Sequence, residues 1–128
     1  MKFNLEKMFK SLRHAYNGLK QCIAREQNFR IELFVSALVV LLGIYFRISQ
    51  IEWLWLMISI CLVLSSEVMN TSIERLTDLV ADKRKTNLAK QAKDVAAGAV
   101  LICVFHSLIA GVAVFLPKIL SIIKATYS

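Results

Sequence analysis

Punctuation is scarce in this sequence. It has 4 glycines and 1 proline in 128 residues, too few for an architecture of many short strands and tight turns, or for a flexible linker. The three cysteines, Cys22, Cys61 and Cys103, show no paired spacing. That argues against a disulfide framework or a metal knuckle and leaves them as small hydrophobes. Acids are few, 9 against 16 Lys and Arg, for a net charge of +7. Glycines stand only at 18, 43, 98 and 111, so there is no Gly-rich phosphate loop. No acids or histidines have HExxH spacing, and there is no internal repeat.

Apolar residues are abundant. They make up 57% of the chain, with a mean hydropathy of +0.58. Soluble domains are usually about 45–50% apolar, and a small domain cannot hide such an excess in one core. Disorder is excluded by the same content. The sequence therefore predicts an all-α integral membrane protein, a single domain over 1–128, with its charges at the ends of its spans.

Residues 1–28 carry a helical period. Leu5, Met8, Phe9, Leu12, Ala15, Tyr16, Leu19, Cys22 and Ile23 fall on one face, with Lys2, Lys7, Lys10, Arg13, His14, Lys20 and Arg25 opposite. This is the pattern of an amphipathic interfacial helix rather than a cleaved leader; the competing reading packs it on a protein core. Three spans follow, at 31–48, 53–73 and 95–116, each near the roughly 20 residues a bilayer demands. Glu32 and Arg47 are expected near the two faces of the first. The third ends at Pro117-Lys118, and Trp53 and Trp55 read as aromatic-belt anchors.

Orientation follows from the distribution of cations. Lys2, Lys7, Lys10, Arg13, Lys20, Arg25 and Arg30 precede the first span, and Arg75, Lys83, Arg84, Lys85, Lys90 and Lys93 lie between the second and third. Only Arg47, Lys118 and Lys124 fall on the other side. The N-terminus and the 75–94 loop are predicted cytoplasmic, with the 47–52 turn and the C-terminus outside the cell membrane.

Polar residues inside spans are costly and mark function by default. On a helical wheel Glu67, Asn70, Thr71, Glu74 and Asp78 form one stripe about 100° wide, with Val68, Met69, Ile73 and Leu76 left opposite for packing. Glu67 lies about 9 Å inside the cytoplasmic boundary, at 1.5 Å per residue, and Glu74 and Asp78 lie at or beyond it. Such a stripe suits a site that joins a lipid headgroup to a water-soluble reactant. Its buried carboxylate can take a proton from a hydroxyl, and its outer acids can hold Mg²⁺ beside phosphates. Lys93 can approach a polyphosphate, and Asp94 can bond a neighbouring donor. Ala92, Ala96, Gly98 and Ala99 permit close helix contact. Glu26, in the group Glu26, Asn28, Arg30 and Glu32, can complete a metal site. The bland alternatives are a positive-inside anchor at Lys90–Asp94, solvated charge at 26–32, interhelical glue at Glu67 and Asn70, and a packed or bonded His106.

The run Glu67-Val68-Met69-Asn70-Thr71-Ser72-Ile73-Glu74, then Asp78, then Ala92-Lys93-Asp94 and Ala96-Ala97-Gly98-Ala99-Val100, resembles the bacterial membrane diacylglycerol kinase family over nearly the whole chain. Phe9-Lys10-Ser11, His14-Ala15, Gly18, Ile51-Glu52-Trp53, Leu88-Ala89-Lys90 and Phe115-Leu116-Pro117-Lys118 are similar to its Gram-positive subgroup, which phosphorylates undecaprenol. The resemblance implies three transmembrane helices plus a surface helix, assembled as a homotrimeric helical bundle with shared active sites. It implies transfer of the ATP γ-phosphate to a lipid hydroxyl with Mg²⁺. By motif, Glu67 is the implied base and Glu26 and Glu74 the metal pair. Asn70, Glu74, Lys93 and Asp94 are implied on the nucleotide, with Lys7 and His14 nearby. The lipid is expected along Lys10, Tyr16, Phe29 and the groove beside Glu67. Departures from the family stand at Gln27, at Thr77-Asp78 and in the 82–87 loop. The acceptor is expected to be undecaprenol, with diacylglycerol as the alternative. A small proton-coupled transporter usually has four spans and a mid-membrane acid, and a non-enzymatic scaffold leaves the stripe unexplained.

Overall fold

A computed structural model describes residues 4–80 and 87–127 as four helices. They are α1 (Leu5–Arg25), α2 (Gln27–Tyr45), α3 (Gln50–Val80) and α4 (Asn87–Tyr127). Lys2 and all of the expected 82–87 loop but Asn87, which opens α4, lie outside the described residues, Lys83, Arg84 and Lys85 among them. Three helices, α2, α3 and α4, are long and apolar enough to cross a membrane. α3 is the hub. It packs most extensively on α4, less on α2, and slightly on α1.

The helix ends differ from the expected ones. α1 stops at Arg25, not at 28, because Glu26 is extended (φ −99°, ψ 116°). That one residue closes α1 and opens α2: its N–H donates to the Cys22 carbonyl at 2.9 Å, and its own carbonyl accepts from Arg30 at 3.3 Å. α2 ends at Tyr45 rather than at 48. Arg47 turns left-handed (φ 47°), while Ile48 N–H reaches back to the Gly43 carbonyl and Arg47 N–H to Ile44. This is a Schellman cap with arginine where glycine is usual. α3 then opens on a reciprocal capping box, Ser49 N–H to Glu52 Oε2 at 2.7 Å and Glu52 N–H to Ser49 Oγ at 3.3 Å.

α4 does not end at Pro117; Pro117 sits inside it and the helix runs on to Tyr127. Proline removes one N–H donor, but the tertiary contacts around it hold the helix. Lys118 Nζ meets Glu52 Oε1 at 2.8 Å, a mostly buried pair, and Phe115 packs on Phe46 in a small core with Ile48, Leu56 and Val114. Trp53, expected as a belt anchor, also makes a packing contact. It is half-buried against Gly43, where an added Cβ would stand 2.7 Å from its ring. Trp55 is exposed.

Taken as a soluble protein, the chain is inside out. On α3 the buried residues are Leu56, Ser59, Val63, Glu67, Asn70 and Thr71, spaced by three and four as one inward stripe. Of the face expected for packing, Val68 and Ile73 are half-buried and Met69 and Leu76 are turned outward. Met69 is 62% exposed and Leu76 60%, whereas Glu67 is 3% exposed. Lipid accepts the apolar face and rejects the carboxylate, so the polar side is the one that packs.

Gly43→Val should destabilise the protein by about 1–3 kcal/mol through overpacking on Trp53. Unfolding titrated with SDS in mixed micelles measures this. Trp53→Leu in the Gly43→Val background should recover part of the loss, and additive effects would show that the two residues do not meet.

Candidate active site

The inward stripe of α3 faces a matching stripe on α2. There Phe29 and Gly43 are buried, and Glu32, Ser36 and Val39 are half-buried between them, again at spacings of three and four. Where the two stripes meet, four acids converge. The charges of Glu74 and Glu26 act on Glu67, and that of Glu67 acts on Glu32. Asn28, at the start of α2, is a polar neighbour acting on the Glu67 carboxylate. Asn70 Nδ2 donates to Glu74 Oε1 at 3.4 Å. Two buried oxygens here, Asn70 Oδ1 and Glu32 Oε2, have no hydrogen-bond partner among the described residues. A polar atom in that state costs on the order of 1–3 kcal/mol, so the pair marks a place built to receive something.

The wet end of the site is a two-helix stalk. Lys93 on α4 is salt-bridged to Asp78 on α3. On the α1 side, Arg75 donates to Glu26 Oε1 at 2.8 Å and to Gln21 Oε1 at 3.1 Å. Among the described residues, no three His, Cys, Asp or Glu side chains form a group that could hold a metal by themselves. Mg²⁺ does not need one, since it usually takes one or two carboxylates and keeps water and phosphate oxygens. The hard oxygen donors of Glu26, Glu74 and the unpartnered Asn70 Oδ1 fit it.

Toward the far end, α2 and α4 both lean on α3 and leave a trough of about 580 Å³ between them. Its surface is nearly all apolar, and its lining includes Glu32, Ser36, Ser59, Val63, Ser107 and Phe115. The serines are polar in name only. Ser36 donates to the Glu32 carbonyl at 2.7 Å, Ser59 to Trp55 at 2.8 Å and Ser107 to Val104 at 2.8 Å. Ser59 Oγ also lies 3.4 Å from His106 Nδ1, across to α4.

Of the residues picked from sequence, Glu67, Asn70, Glu74 and Glu26 come together, with Lys93 and Asp78 joined beside them. Phe29 is buried, on the α2 stripe. Lys7, Lys10, His14 and Tyr16 stand exposed on α1, and Lys10 pairs with Glu6 on its own helix. Within one chain none of the four joins the cluster. Asp94 is exposed, about 100° around α4 from Lys93. Of the small residues expected to allow close contact, only Ala96 is buried, and a Cβ at Gly98 would meet nothing. Sequence reasoning treated Glu32 as boundary charge and passed over Arg75 as a cation count. The α2 spacing Phe29, Glu32, Ser36, Val39, Gly43 carried the missing signal for Glu32.

The family model for prokaryotic diacylglycerol kinase matches residues 13–115. The chain belongs to that family. It is 39% identical over 115 residues to an undecaprenol kinase of Bacillus subtilis, covering 90% of this chain and 93% of that protein. It is 36% identical over 112 residues to a diacylglycerol kinase of Synechocystis, covering 88% of this chain and 64% of the other. A diacylglycerol kinase of Escherichia coli K12 is 27% identical over 103 residues, covering 80% and 84%. The protein is therefore a lipid kinase of the membrane, multi-pass, with ATP and a lipid alcohol as substrates. The whole cluster, with Arg75 and Lys93, falls inside the matched stretch, whereas Lys7, Lys10 and the end of α4 fall outside it.

A buried carboxylate kept for chemistry should be replaceable without loss of stability. Glu67→Met is expected to leave the SDS unfolding midpoint unchanged or to raise it. A drop of about 3–5 kcal/mol, typical of breaking a buried ion pair, would show instead that Glu67 is interhelical glue.

Proposed function

We propose that the kinase phosphorylates undecaprenol, with Glu67 as the base and the α2–α4 trough as the bed of the lipid chain. The observation that carries this is Glu67 itself, a buried acid one helical turn beyond Val63 of the trough wall, on the side of the charged stalk. A long polyprenol brings one hydroxyl and no other polar group. The trough offers the same, apolar walls with serines turned onto their own helices and one unpartnered carboxylate oxygen at the site end. Diacylglycerol brings ester carbonyls next to its hydroxyl, and the inward-bonded serines leave them poorly served. The likeness to the Bacillus subtilis undecaprenol kinase supports the same choice.

In the reaction, Glu67 accepts the proton of the lipid hydroxyl as its oxygen bonds to the γ-phosphorus. The bond from that phosphorus to the β,γ-bridging oxygen breaks, and ADP leaves. Phosphoryl transfer asks mainly for positioning and charge neutralisation. Asn28 orients the Glu67 carboxylate, Asn70 holds Glu74, and Lys93 supplies positive charge beside the phosphates. Glu26 and Glu74, with Asn70 Oδ1, would hold Mg²⁺, which neutralises the phosphate oxygens when bound. Lys7, His14 and Asp94 are assigned to the nucleotide, and Lys10, Tyr16 and Phe29 to the lipid entrance.

The exposed positions of Lys7, His14 and Asp94 in a single chain favour a homotrimer in which neighbouring protomers complete each site. α1 lies at the cytoplasmic membrane surface on this reading. Its Leu5, Phe9, Leu12 and Tyr16 are exposed, and lipid would cover them. The Glu74 end then faces the cytoplasm, the source of ATP, and the C-terminus lies outside.

Glu67→Gln should abolish turnover while the cross-linked oligomer persists; near-normal activity would remove Glu67 from the base role. Excess chelator should stop the reaction, and unchanged turnover in its presence would count against Glu26 and Glu74 as metal ligands. Undecaprenol and diacylglycerol compared at equal mole fraction in the same micelles should show higher kcat/KM for undecaprenol. The reverse order would make this a diacylglycerol kinase.

A further inference from the structure

Among the described residues, Arg75 is a cation on the cluster to which the proposed mechanism gives no task. Its two bonds are unusual in what they join. One nitrogen holds Glu26, the residue that forms the corner between α1 and α2, and another holds Gln21, near the end of α1. Arg75 follows Glu74 directly on α3, so its Cα stands at the level of the second carboxylate assigned to the metal. The Arg75–Glu26 pair is partly open to water, with side chains 42% and 28% exposed. Such a pair is weak enough to be exchanged, whereas a divalent ion bridging carboxylate and phosphate is a stronger partner for the same oxygens.

We propose that Arg75 is a place-holder for the metal at Glu26, and that its displacement by metal–nucleotide unties α1 from α3. This rests on the metal assignment made above and adds a linkage to it. With the site empty of nucleotide, Arg75 neutralises Glu26 and straps α1 through Gln21. When metal and nucleotide arrive, Glu26 exchanges the guanidinium for the ion, and the same side chain gives up Gln21. α1 is the helix assigned to the membrane surface and the lipid entrance, so nucleotide occupancy is relayed to the element that lipid must pass. By linkage, whatever holds α1 down must weaken metal–nucleotide binding by the same factor.

The test uses the full chain in lipid nanodiscs, with Mn²⁺ and a non-hydrolysable ATP analogue as probes. Mn²⁺ binding is read by EPR, and exchange of the α1 amides at 17–25 by mass spectrometry. In the wild type, adding the probes should raise α1 exchange. Arg75→Met should raise it without them, and should tighten Mn²⁺ binding about two- to fivefold, the span of a partly exposed ion pair. Arg75→Lys has one nitrogen in place of the fork whose two nitrogens hold Gln21 and Glu26 separately, so it should loosen α1 while leaving Mn²⁺ affinity nearer the wild type. Unchanged or weaker Mn²⁺ binding in Arg75→Met overturns the place-holder role. α1 exchange that ignores the probes in the wild type overturns the linkage. Glu26→Gln, run in parallel, should weaken Mn²⁺ binding; if it does not, the metal assignment fails and the place-holder with it, whatever Arg75 does.

Discussion

An ionisable group at membrane depth costs about 2.5–3.5 kcal/mol on insertion scales, and the arrangement of this protein follows from carrying one at Glu67. The cost is bearable only where protein or water surrounds the carboxylate, so α3 turns its polar stripe inward. α2 answers with its own inward stripe of Phe29, Glu32, Ser36, Val39 and Gly43. The apolar residues that would form a soluble core are sent outward to lipid instead. Leu56, further along the same stripe, joins Ile48, Val114 and Phe115 in what core there is.

Length sets the second axis of the site. α2, with 19 residues, is about 28 Å long and matches the hydrocarbon thickness of a bilayer. α3 and α4, with 31 and 41 residues, are about 46 and 61 Å long and must project beyond it. The Lys118–Glu52 pair fixes α4 against α3 at one end, where the Phe46–Phe115 contact also ties α4 to the end of α2. Part of the surplus then emerges at the other, as the stalk that holds Glu74, Asp78 and Lys93. One pair of helices thus carries the reacting groups from an apolar level to an aqueous one without a loop between them.

Much of this was legible in the sequence, because membrane depth and helical period leave strong traces. The three apolar runs, the α1 faces and the Glu67–Asp78 stripe all follow from spacing alone. Three things did not. Pro117 read as a stop because proline weakens a helix locally, and only the contacts around Phe115 and Lys118 carry the helix past it. Glu32 read as a boundary charge because depth was counted from uncharged stretches, while its neighbours on α2 decide where it points. Lys7, His14 and Tyr16 belong to a helix whose faces are clear but whose docking is not, since its periodicity says which side is apolar and nothing about what that side meets.

The trough between α2 and α4 has a consequence for what the kinase can sense. From Ile31 to Leu42 its α2 wall is only about 16 Å long, and its hydroxyls are spent on their own backbones. A polyprenyl chain far longer than that would be gripped over its first few isoprene units and left in the bilayer for the rest. On the proposed reading, the enzyme therefore cannot count the length of the alcohol it phosphorylates. Chain-length fidelity in the product would be inherited from whichever enzyme built the polyprenyl chain.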